Sequence, residues 1–177
     1  MTTMRRGGAE GDGTGRVVGA ESAVWRLVRR VVPLTVLAIW FASLLLPVAT
    51  SDPSRADAAW PGWAVLLLGA IGVASGQYGW FANLLLVPGL IVTMVERRTP
   101  IPVLLLLAGA LFAAHRHVLS WDSLPVTGGG AASIEAFGVG YHLWRASLLL
   151  GAAWFLAFAA KRFLGGYGRW AQGGEFD

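Results

Sequence analysis

Two side chains able to do chemistry stand inside apolar runs. Arg145 lies in the stretch from Gly138 to Arg162, and Asn83 lies in the stretch from Gln77 to Val95. A guanidinium surrounded by hydrocarbon is costly unless it is paired or reaches water, so an arginine placed this way is a functional-site hypothesis by default. Its planar fork matches carboxylate and phosphate oxygens. Asn83, Tyr141, His142 and Arg145 are therefore the candidate lining of a pocket for an anionic ligand or a lipid headgroup. The competing reading is structural, with an interhelical hydrogen bond from Asn83 and an ion pair from Arg145 to Glu135 or Asp122.

Other chemistry has less to stand on. His115 and His117 are two positions apart, which on a helix turns them about 160° from one another, so sharing a metal ion with His142 needs a frayed helix end. The chain has no cysteine, which removes disulfides, thiolate ligands and cysteine nucleophiles together. It has no phosphate loop, no His-Glu-x-x-His, no Gly-x-Ser-x-Gly and no acidic pair within an apolar run. The sequence thus names no catalytic residue, no metal site and no cofactor, and the expectation is a protein that is not an enzyme.

The elements that must position these residues are membrane-spanning helices. Charged residues make up 14% of the 177, against about 25% in soluble domains. Several apolar runs approach the roughly 20 residues that cross about 30 Å of hydrocarbon. The net charge of +4 is carried by arginines flanking those runs, not by one basic face, which points to orientation in a lipid bilayer and away from nucleic acid.

The predicted fold is all-α, an integral membrane bundle with spans at 31–48, 77–95, 101–119 and 138–160. Residues 1–20 are too polar and glycine-rich to bury a core and are expected to be a disordered tail, and 165–177 a short cytoplasmic one. Arg26, Arg29 and Arg30 alternate with Val24, Trp25, Leu27 and Val28, the pattern of a basic helix on a membrane surface that turns inward at Pro33. A signal peptide cleaved near Ala56-Asp57-Ala58 is the rival reading of the first span. Its apolar stretch exceeds the usual core of about 7 to 15 residues, which favours a retained anchor. Thr99 and Pro100 suit the N-cap and first turn of the third span.

Trp63 to Val95 is too long for one upright helix. Four crossings place the N-terminal arginines, Arg97, Arg98, Lys161, Arg162 and Arg169 on one side, hence cytoplasmic, with both termini inside a multi-pass protein of the cell membrane. Residues 62–75 reach only about 20 Å and are expected to lie on the outer face or dip into it. Within them and just beyond, Gly69, Gly72, Gly76 and Gly79 follow spacings of three, four and three, which on a helix makes one smooth stripe for close packing. Measured by rise from the basic residues, Asn83, His115 and Arg145 all lie roughly 20 to 24 Å up, in one layer. The Trp and Tyr residues of that layer read as an aromatic belt.

At Trp80-Phe-Ala-Asn83 and Gly140-Tyr-His-Leu-Trp-Arg-Ala-Ser147 the chain resembles a group of small bacterial multi-pass membrane proteins. These carry Trp-[Leu/Phe]-Ala-Asn at the start of one span and Gly-Tyr-x-Leu-Trp-x-Ala-Ser at the start of the last. Pro61-Gly-Trp63 is similar to a further Gly-Trp element. His142 and Arg145 depart from that pattern, where an aromatic and an apolar residue are expected. What the resemblance implies is architecture. Function is then expected to rest on helix contacts, with a homo-oligomer or a larger membrane protein as partner. A small carrier or binder built on Asn83 and Arg145 is the alternative.

Overall fold

A computed structural model describes residues 23–52, 59–70, 72, 76–96, 98–125 and 131–171. The expected N-terminal tail, the Ala56–Ala58 segment, Arg55, Arg97 and the run Gly128–Gly130 lie outside the described residues, as do the side chains of Tyr167, Arg169 and Trp170.

Helix α1 (Ala23–Leu45) leads into strand β1 (Pro47–Thr50), and β2 (Ala59–Pro61) into a short helix α2 (Gly62–Leu68). A 3-10 turn, Tyr78–Phe81, opens directly into α3 (Ala82–Val95), which is followed by α4 (Ile101–Val118). The hairpin β3 (Ser123–Pro125) and β4 (Ala131–Ser133), then β5 (Ala136–Phe137), precede α5 (Val139–Ala171). Among the described residues, four helices are long and apolar enough to cross a membrane: Ala23–Leu45, Tyr78–Val95, Ile101–Val118 and Val139–Gly165.

These four run up and down in turn. α5 packs chiefly on α4 and α1, and α3 packs on both of those, so α3 and α5 are parallel and sit on the diagonal. The packing follows from sequence period. α4 buries Leu104, Ala108, Leu111, His115 and Val118, alternating steps of four and three that form one stripe. Its other faces are apolar too: Leu106 is 73% exposed, and Val103, Leu105 and Phe112 are exposed with it. A helix apolar on every side, with only one stripe covered, suits hydrocarbon surroundings.

One end of the bundle is capped by backbone pairing. β1 is the middle strand of a three-stranded antiparallel sheet in the order β2-β1-β5, so Ala49 lies opposite both Trp60 and Phe137. This ties the segment after α1 to the one before α5. A Cβ added to Gly140 would lie 2.7 to 2.9 Å from the carbonyl oxygens of Leu46, Pro47 and Ser43. Only glycine lets α5 start against the last turn of α1. At the opposite end, Lys161 Nζ sits 3.8 Å over the Trp25 ring, which in turn stacks on Trp154 and Phe158. Arg26, Arg29, Arg30, Arg98, Lys161 and Arg162 belong to that basic end; Arg116 and Arg145 belong to the capped end.

Several expectations change. The fold is mostly helical, as expected, but the cap also contains strands, each of two to four residues, where the sequence pattern predicts loop. The separate surface helix before Pro33 does not exist: Pro33 lies inside α1, which starts at Ala23 and stops at Leu45, short of the predicted Val48. Pro47 explains the early stop, since proline disfavours helix in the residue before it and donates no hydrogen bond. α4 is capped by Pro100 and not by Thr99, whose hydroxyl donates to the Glu96 carbonyl at 3.5 Å. α5 passes Lys161 and continues helical to Ala171, beyond the predicted 160.

The glycine-striped outer helix is also overturned. α2 ends after seven residues, Gly69 is its C-cap, Gly76 adopts φ +81, and Gly79 sits in the 3-10 turn. Each glycine costs a helix about 1 kcal/mol relative to alanine, and Gly76 takes a left-handed conformation that ends any stripe. Gly69 and Gly79 remain close-approach points on separate pieces, against the Trp80 ring and against Val118 and Trp121. Gly72 serves the turn, accepting from the Gln77 N–H at 2.8 Å and donating to the Gly69 carbonyl at 3.1 Å.

Candidate functional site

Consecutive residues on a helix point about 100° apart, so Trp144 and Arg145 send the candidate site to two faces of α5. On the first face stands Asn83, 8% exposed. Its Oδ1 accepts the indole N–H of Trp40 from α1 at 2.8 Å and that of Trp144 from α5 at 2.9 Å. Its Nδ2 donates to the Trp80 carbonyl at 3.0 Å. An amide oxygen has two lone pairs, and both are used. One side chain thus joins three helices.

A second bond repeats this toward the basic end. Trp154 donates to Thr93 Oγ1 at 2.9 Å, and Thr93 donates to the Leu90 carbonyl at 2.8 Å. Asn83 to Thr93 is ten residues, and so is Trp144 to Trp154, about 15 Å of rise on each of two parallel helices. Between these rungs the helices exchange bulk for space: Gly89 faces Phe155 and Gly151 faces Leu86. Long indoles and reciprocal glycine notches let helices on the diagonal of the bundle bond directly.

Under the cap a cavity of about 30 Å³ is lined by Ser43, Leu44, Val48, Gly62, Val65, Leu66, Trp80, Asn83, Trp121 and Trp144. That is room for one or two waters, not for a headgroup. The Trp121 indole N–H is buried there without a hydrogen-bond partner. Gly62, Trp80, Asn83 and Trp144 come from the three sequence elements Pro61-Gly-Trp63, Trp80–Asn83 and Gly140–Ser147, which therefore converge on one spot.

The second face of α5 holds Arg145. Its Nη2 lies 3.5 Å from His115 Nε2, at the limit of a hydrogen bond, and its guanidinium carbon lies 5.3 Å from the centre of the Tyr141 ring. Arg145 Nε and His115 Nδ1 are buried with no partner. Tyr141 is itself buried, stacks on Phe137 and donates its hydroxyl to the Val118 carbonyl at 3.2 Å. His142 is exposed, edge-on to Tyr141.

The expected pocket is therefore not assembled. Asn83 and Arg145 share a level on the bundle, but α5 stands between them, and the cavity touches neither Tyr141, His142 nor Arg145. The proposed ion pair is absent too: Asp122 accepts from the Ser123 hydroxyl at 3.0 Å and Glu135 from the Ser133 hydroxyl at 3.5 Å. The histidines diverge, since His117 Nε2 accepts the Tyr78 backbone N–H at 3.2 Å while His115 faces Arg145.

Trp40, Trp144, Trp154 and Thr93 carry the tertiary bonds and are absent from the predicted site. An aromatic belt accounts for Trp144 without assigning it a partner, and Trp154 and Thr93 lie about 15 Å from that layer, which is why the pattern hides them. The available signal is the matching ten-residue spacing of Asn83 to Thr93 and Trp144 to Trp154 in two spans expected to be parallel. Comparison with protein-family models, with curated proteins and with solved structures gives no match.

Proposed function

We propose that this is a non-catalytic multi-pass protein of a bacterial cytoplasmic membrane, with both termini cytoplasmic, acting as a packing module for a second copy or a larger membrane protein. The observation that carries this reading is Asn83. This buried amide is engaged by two indoles from two other helices, so it holds the bundle rigid instead of meeting a ligand. The orientation is supported by the gathering of Arg26, Arg30, Arg98, Lys161 and Arg162 at one end. Retention of α1 as an anchor is supported by Trp40, which contributes to the Asn83 junction. The resemblance to small bacterial multi-pass proteins is supported by the convergence of its three motif elements on one cavity.

With the glycine stripe gone, the contact surface moves to the outer face of α4. Gly109 has open space where a side chain would be, and Ala113, one turn on, is exposed beside it. Small residues four apart allow close helix approach in lipid. Crosslinking and native mass spectrometry of the protein extracted from membranes test the proposal. A homo-oligomer or a co-purifying membrane protein, lost in Gly109→Leu, is expected; a lone monomer overturns it.

A further inference from the structure

We propose that Arg145 and His115 form a binding site for the phosphate of a phospholipid in the leaflet at the capped end. The proposal rests on the membrane placement above but not on the packing role. Arg145 Nη2 can only donate, so its neighbour His115 Nε2 accepts, which leaves the proton of a neutral imidazole on Nδ1. His115 Nδ1 and Arg145 Nε are then two buried N–H donors with nothing to donate to, beside a full positive charge. His115 is 8% exposed but Arg145 is only half-buried, so the pair is reached from the Arg145 side by a group at the surface of the bundle. Orphaned donors of this kind are costly, and a native structure rarely keeps two together without a partner.

The group that completes them must accept several hydrogen bonds, donate few and carry negative charge. Among the described residues no carboxylate does so, since Asp122 and Glu135 bond to serines elsewhere. A phosphodiester fits, because its two non-bridging oxygens share the negative charge and can accept two parallel N–H bonds from the guanidinium fork. Depth selects its source. Arg145 is six residues inside the start of α5 and His115 three from the end of α4, about 9 Å and 5 Å below the capped end, where headgroups lie against spanning helices. Arg116 and His142, both exposed, flank the pair and add positive charge toward the membrane surface.

The test uses the full chain in detergent, with native mass spectrometry and thermal unfolding after adding phosphatidylglycerol, diacylglycerol of the same acyl chains, or inorganic phosphate. The phospholipid is expected to be retained and to raise the unfolding temperature. Diacylglycerol is expected to do neither, and Arg145→Gln to lower phospholipid retention about tenfold, the loss of one charge-assisted contact. Equal effects of phospholipid and diacylglycerol overturn the site, as does unchanged retention in a folded Arg145→Gln protein. Protection by inorganic phosphate equal to that by the lipid overturns the lipid source. The lipid comparison on the wild-type chain decides alone if the variant does not fold. Alkaline extraction of membranes separates the two readings: a chain released to the soluble fraction defeats the membrane placement, whereas a retained chain without lipid preference defeats only the site.

Discussion

Asn83 and Arg145 are polar residues at the same level of one bundle, and the two faces of α5 treat them in opposite ways. Toward α1 and α3, the Asn83 oxygen accepts from both indole partners and its amide nitrogen donates to the Trp80 carbonyl, at 2.8 to 3.0 Å. Toward α4, Arg145 and His115 meet at 3.5 Å and each keeps a buried nitrogen without a partner. Polarity at one depth is therefore not one function. A saturated cluster rigidifies, because removing any member orphans the others; an unsaturated one is open to a further partner.

The comparison breaks first at Asn83. Asn83→Leu leaves the Trp40 and Trp144 N–H groups buried without an acceptor, each costing on the order of 1 to 2 kcal/mol. Thermal or denaturant unfolding in detergent should show the largest loss of the series, about 3 kcal/mol. In double-mutant cycles, Trp40→Phe and Trp144→Phe should each couple strongly to it, since each removes a donor that the first substitution had stranded. Additive effects would show that the junction is not a unit.

Next comes the lower rung and the cap. Thr93→Val keeps shape but strands the Trp154 N–H, with an expected loss of about 1.5 kcal/mol by the same measurement. Gly140→Ala should cost about as much or more, because its new methyl meets three backbone oxygens that cannot rotate away. Gly89→Ala should cost less, since it meets the tip of the Phe155 ring at 2.7 Å, and a ring can shift. A reversal of that order would mean that α3 and α5, not the cap, set the tightest contact.

What is legible in the amino-acid sequence follows the same division. The helices long and apolar enough to cross a membrane are legible to within a few residues at most ends, because each is written as a run of about 20 apolar residues. The shared layer of Asn83, His115 and Arg145 is legible because helix rise is fixed. The partners are not. Trp144 lies sixty-one residues from Asn83, and only the diagonal packing of α3 and α5 brings them together. The cap is hidden because strands such as Ala136–Phe137 are too short to show alternation and are held by pairing with residues far along the chain. Gly76 misleads because its spacing fits a helix while its backbone is left-handed, a freedom that glycine does not advertise.

The smallest effect is the most discriminating. Arg145→Gln removes a cation–π contact with Tyr141 worth about 0.5 to 1 kcal/mol and also removes a partly buried charge without an acid partner among the described residues. The two terms oppose one another, so unfolding in plain detergent should move by less than about 0.5 kcal/mol either way. Asn83→Leu should lose stability with or without added lipid, because its partners are internal. Arg145→Gln should differ from the wild type only when phospholipid is present, because the missing partner is external. A large loss from Arg145→Gln in lipid-free detergent would instead make the guanidinium a structural member of the α4–α5 seam, and the contrast between the two faces of α5 would disappear.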